Sequence, residues 1–137
     1  MKKKILIVSA PYYASVVDQL IDGAKKYFQD KTDVDIHESI APGAFEIPYI
    51  INNQLKHFDA FVALGCIIRG ETYHFELIAN EVSRKIMDLS LSFKKPIGFG
   101  ILTCDNIQQA KERSNVMKKD KGGEAARACY TLLLNGQ

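Results

Sequence analysis

The run A-F-V-A-L-G at residues 60–65 decides the fold. It is apolar at odd and even positions alike, so a strand built from it buries both faces. Such a strand belongs in a parallel sheet with helices above and below. K-I-L-I-V-S (4–9) and I-G-F-G-I-L-T (97–103) have the same character. D-V-D-I-H-E-S (33–39) alternates instead, setting Val34 and Ile36 against polar neighbours. Helical stretches fill the gaps. From about Ser15 to Phe28, Val16, Leu20, Ala24 and Tyr27 fall near one face. After the Pro42-Gly43 break, a helix runs through I-P-Y-I-I-N-N-Q-L-K (47–56), with Pro48 in its first turn, where a missing N–H costs nothing. A long helix spans about Tyr73 to Phe93. Asp105, with Gln108 three residues on, reads as the capping box of a short helix. A last helix covers about Gly123 to Leu134. Strands alternating with helices predict an α/β domain over residues 1–137: a flavodoxin-like three-layer sandwich with a four-stranded parallel sheet and right-handed crossovers.

Composition narrows the function classes. A chain of 137 residues with 47% hydrophobic and 25% charged residues suits one soluble domain. A net charge of +2 gives no pull toward nucleic acid. Lys2-Lys3-Lys4 precedes an apolar run that stops at Val8, too short for a signal peptide, and no apolar stretch reaches membrane-spanning length. A cytoplasmic protein with no membrane partner is expected. Cys66, Cys104 and Cys129 are odd in number and far apart, without C-x-x-C or His/Cys ligand spacing. Buried thiols are expected, not disulfides or a metal centre.

Ligands of parallel sheets bind beyond the C-terminal ends of the strands. All four strands here run into chemically unusual segments there: A-P-Y-Y-A-S (10–15), A-P-G-A-F-E-I-P (41–48), C-I-I-R-G-E-T-Y-H (66–74) and T-C-D-N (103–106). Residues 70–74 open a helix, where exposed N–H groups and the helix dipole favour an anion such as phosphate. Gly70 admits close backbone approach, and the Thr72 hydroxyl adds a hydrogen bond; a Thr there also serves as a plain N-cap. His74, in the first turn beside that anion, carries an imidazole, the side chain generally suited to proton transfer near neutral pH, although a lone His is often structural. Phe45 and Glu46 offer a platform for a flat ring and a carboxylate for its polar atoms, with core packing and dipole complementation as the plain alternatives. Tyr12 and Tyr13 supply a second face or are simply surface tyrosines. Arg113 and Lys121 are cations near helix ends, where solvated structural roles are common. No GxGxxG or Walker motif occurs.

Taken together, P-G-A-F-E-I-P (42–48), G-C-I-I-R-G-E-T-Y-H-F-E (65–76), F-G-I-L-T-C-D-N-I-Q-Q-A-K-E-R-S (99–114) and K-G-G-E-A-A (121–126) resemble, in order and spacing, the 6,7-dimethyl-8-ribityllumazine synthase family. The likeness covers nearly the whole chain. It implies a transferase of riboflavin biosynthesis that needs no cofactor and condenses 5-amino-6-(D-ribitylamino)uracil with 3,4-dihydroxy-2-butanone 4-phosphate. It further implies that Tyr12 stacks on the ring and that Ala44, Phe45 and Glu46 hold the pyrimidine and its ribityl chain. Cys66, Ile67 and Ile68 match the backbone segment around the ring. Glu71 and Thr72 match the phosphate loop, and His74 the proton-transfer residue. Phe99 and Arg113 match residues lent by a neighbouring subunit, Arg113 to the phosphate, with Lys121 a basic residue near that pocket. Tyr12-Tyr13 departs from the family's more usual Phe-Asn or Trp-Asn.

The family is built on pentamers, in some members assembled into shells. Here the bend S-N-V-M-K-K-D-K-G (114–122) sets Lys118, Lys119 and Lys121 against the single Asp120, and like charges oppose ring–ring contact. The expectation is a homopentamer, or a pair of them, with active sites shared between neighbours. Two other classes fit the same fold: a flavin or phosphate-ligand binding module, and a shell protein.

Overall fold

In a computed structural model, which describes residues 1–70 and 74–136, the chain runs β1 (Lys3–Ser9), α1 (Ala14–Phe28), β2 (Val34–Ile40), a single 3-10 turn (Ala44–Glu46), α2 (Ile47–Asn53), β3 (Ala60–Ile68), α3 (His74–Phe93), β4 (Ile97–Cys104), α4 (Ile107–Ser114) and α5 (Lys121–Asn135). The strands form one all-parallel sheet in the order β2-β1-β3-β4. This is the α/β three-layer sandwich expected, with the 60–65 run at its centre. Residues Ala60 to Ile67 of β3 are all buried, so the run apolar on both faces does lie between two helical layers. The edge strand β2 keeps its alternation, with Val34 buried and Asp35 exposed.

Each face of the sheet has its own core. On one, Ile5, Ile7, Val62, Leu64 and Leu102 pack under Val16, Leu20 and Ala24 of α1 and Ala126 and Cys129 of α5. On the other, Leu6, Val8, Phe61, Ala63 and Ile101 meet Ile47 and Ile51 of α2 and Val82 and Ile86 of α3. Glycines set how near α5 approaches. A Cβ at Gly98 would fall 2.1 Å from the Ala125 carbonyl oxygen, and one at Gly122 would fall 2.0 Å from that of Leu20. The backbone of α5 therefore rests directly on β4 and α1.

Helix boundaries differ from expectation in three places. The N-cap of α4 is Asn106, whose side chain accepts from the Gln109 N–H at 2.9 Å, while Gln109 Oε1 accepts from the Asp105 N–H at 2.8 Å. The box sits one residue later than the Asp105–Gln108 reading because Arg69 claims the Asp105 carboxylate at 3.0 Å. Likewise α5 starts at Lys121, ahead of Gly123, because Asp120 caps it and accepts from the Gly123 N–H at 3.2 Å. And α2 stops at Asn53, with residues 54–57 in turns. The three cysteines are free and buried, as the sequence suggested. No helix among the described residues is long and apolar enough to cross a membrane.

Candidate active site at the strand ends

The site begins where β1 stops. β1 pairs with β3 only as far as Ser9–Leu64, whereas β4 follows β3 on to Ile68–Cys104. The Phe61 and Arg69 N–H groups donate toward β4, and the Leu64 carbonyl accepts from the Ala10 N–H on the β1 side. In a strand the backbone groups of alternate residues point to opposite edges. Cys66 and Ile68 therefore turn their N–H and C=O toward the side that β1 has vacated. A strand edge without a strand partner offers fixed donors and acceptors in one plane, a natural seat for the rim of a polar flat ring.

A cleft of about 510 Å³ opens there. Tyr12 and Tyr13, Pro42 through Glu46, Cys66, Ile67, Ile68, His74, Leu77 and Ile78 line it. Two loops, the end of β3 and one helix thus converge, as the sheet topology requires. Tyr12 is 70% exposed and Phe45 57%, so two large rings face solvent with no core to cover them. The Tyr12 and Tyr13 rings meet edge-on, 5.5 Å apart at 85°. The tight turn at Ala44–Glu46 folds Glu46 back on itself: a Cβ at Gly43 would lie 3.0 Å from Glu46 Oε1. That leaves a carboxylate at the wall of the cleft that Phe45 also lines. Burial pushes the Cys66 thiol up to about 12, helped by the neighbouring Cys104, so Cys66 enters the site as a neutral thiol and a backbone, not as a nucleophile.

Around the start of α3 the charges are arranged by Arg69. Its guanidinium donates to Glu76 in the first turn of α3 and to Asp105 at 3.0 Å, and it stacks over the Phe75 ring at 4.5 Å. The hydrogen bond to Asp105 is the main cause that raises its already high pKa. Arg69 thus joins the ends of β3 and β4, already linked by the Arg69 N–H on the Cys104 carbonyl at 2.8 Å.

The structure gathers Tyr12, Ala44, Phe45, Glu46, Cys66, Ile67, Ile68 and His74 into this one cleft. Glu71 and Thr72 lie outside the described residues. Phe99, Arg113 and Lys121 do not line the cleft. Phe99 is the third residue of β4, 44% exposed. Arg113 donates to the Thr103 carbonyl and the Cys104 thiol, both at 3.4 Å, and Lys121 pairs with Glu124 at 3.2 Å. Sequence reasoning passed over Leu77 and Ile78, which look like core positions of an amphipathic helix. The signal was their spacing of three and four from His74, which places all three on one face.

The chain matches the family model described as 6,7-dimethyl-8-ribityllumazine synthase over residues 2–135. The chain belongs to the 6,7-dimethyl-8-ribityllumazine synthase family. Proteins named 6,7-dimethyl-8-ribityllumazine synthase share much of its sequence. That of Agrobacterium fabrum is 45% identical over 96% of this chain and 93% of its own length. That of Sphingopyxis alaskensis is 46% identical over 94% and 92%. That of Methylocella silvestris is 47% identical over 93% and 81%. The motif resemblance is confirmed, and with it the reading of the chain as an enzyme of the lumazine synthase family.

Proposed function

We propose that the cleft condenses 5-amino-6-(D-ribitylamino)uracil with 3,4-dihydroxy-2-butanone 4-phosphate to 6,7-dimethyl-8-ribityllumazine. The observation that carries this reading is the vacated edge of β3, which shares one cleft with the Tyr12 ring, the Phe45–Glu46 turn and His74. A pyrimidine fits such a slot. Its polar rim takes the Cys66 and Ile68 backbone, Tyr12 covers its face, and Glu46 receives hydroxyls of the ribityl chain. The phosphate sits at the start of α3, on residues Gly70 to Thr72, where the dipole of a 20-residue helix favours it.

The chemistry is proton traffic and positioning. The pyrimidine amine attacks the ketone carbon, and loss of water leaves an imine. Phosphate departs, the second nitrogen closes the ring, and a second water leaves. His74 carries protons to and from these centres. No net oxidation occurs. Holding two substrates in register contributes roughly 7–11 kcal/mol in well-oriented reactions.

Arg113 and Phe99 serve the site of an adjacent copy, with Lys121 near the phosphate, in a homopentamer. Their positions outside the chain's own cleft support this arrangement, as do the long hydrogen bonds that hold Arg113, which leave its charge available. The enzyme works in the cytoplasm, where both substrates are water-borne metabolites. The decisive experiment mixes the purified protein with the two substrates and follows lumazine fluorescence. No product above the uncatalysed rate would refute the reading.

A further inference from the structure

We propose that Tyr13 is a positioning residue whose strained backbone exists to seat the Tyr12 ring over the cleft. Tyr13 is the N-cap of α1 and adopts φ 60°, ψ 61°, the left-handed region. Glycine occupies that region without penalty and asparagine with little, whereas a bulky aromatic residue there is an outlier. Its side chain does not cap the helix either; only its carbonyl takes part, accepting from the Val16 and Val17 N–H groups at 2.9 and 3.1 Å. Both local preferences are therefore violated at one residue, and such violations persist where the site needs the geometry.

What the geometry achieves is on the cleft wall. The turn directs the Tyr13 ring edge-on against Tyr12, 5.5 Å away at 85°. Tyr12 is 70% exposed, and among the described residues the Tyr13 ring is its one aromatic neighbour. Without that edge the Tyr12 side chain rotates freely, and ordering it falls on the ligand. Tyr13 thus preorganises the stacking face before the heterocycle arrives. The consequence rests on the reading of the cleft as a pyrimidine site, while the strain itself does not.

Three variants separate these parts. Tyr13→Asn relieves the backbone and removes the ring. It melts higher than wild type, and calorimetric titration with 5-amino-6-(D-ribitylamino)uracil finds at least fivefold weaker binding. In turnover the loss falls on the KM for the pyrimidine, with a smaller change in the KM for the butanone phosphate. Tyr13→Gly behaves alike in binding. Tyr13→Phe keeps the ring edge and recovers tight pyrimidine binding. A lower melting temperature for Tyr13→Asn would overturn the strain. Equal pyrimidine affinity of Tyr13→Asn and wild type would overturn the positioning role, as would a Tyr13→Phe variant that binds as weakly as Tyr13→Asn. Wild-type protein that neither binds the pyrimidine nor forms lumazine would refute the functional reading instead, leaving the melting comparison to decide the strain.

Discussion

His74 opens α3 and shares its face with Leu77 and Ile78, so an ionisable ring stands against an apolar cleft wall. Replacing it with Ala removes the proposed proton carrier and leaves the packing of α3, which rests on Val82 and Ile86, in place. We expect His74→Ala to lower kcat by about 10²-fold or more with little change in melting temperature. A large loss of thermal stability with kcat preserved would make His74 structural. The thiols give a second residue-scale expectation. Burial raises Cys66 and Cys129 from an ordinary 9.0 to about 12. The folded chain keeps protons there that the unfolded chain gives up. This stabilisation is whole below the unfolded pKa, declines as pH rises, and is gone once pH passes the folded value. The melting gap between wild type and Cys129→Ala should therefore narrow from about pH 9 to about pH 12. A gap that holds constant would mean that the thiol titrates normally.

Among the elements, α4 tests which residue starts a helix when two candidates adjoin. Asn106 holds the Gln109 N–H, while Asp105 is engaged by Arg69. Asn106→Ala should cost about 1 kcal/mol, the usual value of an N-cap. Asp105→Ala removes only a half-exposed ion pair and should cost less, about 0–1 kcal/mol. Chemical denaturation of the two variants decides the matter, and the reverse order would return the cap to Asp105. Packing of α5 is less forgiving. A Gly98→Ala side chain would meet a backbone oxygen at 2.1 Å, and backbone cannot swing aside as a flexible side chain can. We expect a loss of about 3 kcal/mol or more, at the upper end of overpacking costs, seen as a drop in denaturation midpoint. A midpoint close to wild type would show that α5 slides freely on β4.

At the scale of the whole molecule, the apolar surface is larger than a single chain needs. Ile40, Phe45, Tyr49, Leu77, Leu91 and Phe99 are all exposed, from both ends of the sheet and along α3. Patches of this kind mark interfaces, and a ring of head-to-tail contacts covers every copy once. Sedimentation should find about five times the 15.4 kDa chain, or a pair of such rings. A stable monomer would dispose of the shared site. Mixing His74→Ala with Arg113→Ala supplies a functional test. In mixed rings some clefts unite an intact His74 with a neighbour's intact Arg113, so part of the lost activity should return. No recovery after proven subunit exchange would place Arg113 outside the neighbour's site.

The parallel sheet, its helical layers and the edge that carries the candidate cleft were legible in residues 60–65, 4–9 and 97–103, because two-sided burial demands apolar side chains at every position. The same logic located Tyr12, Phe45, Glu46 and His74, since each lies in or just past the segment that leads out of a strand, and the strand ends of a parallel sheet share one edge. Three things waited for the tertiary structure. Where β1 stops pairing while β4 continues depends on register between distant segments, and that alone leaves the Cys66 and Ile68 backbone without a β1 partner. The choice of Asn106 over Asp105 as cap was made by Arg69, 36 residues away. And the left-handed turn at Tyr13 opposes the residue's own preference, so only packing against the rest of the fold holds it. Local sequence encodes local preference and burial; competition between distant partners for one group is settled only when the chain brings them together.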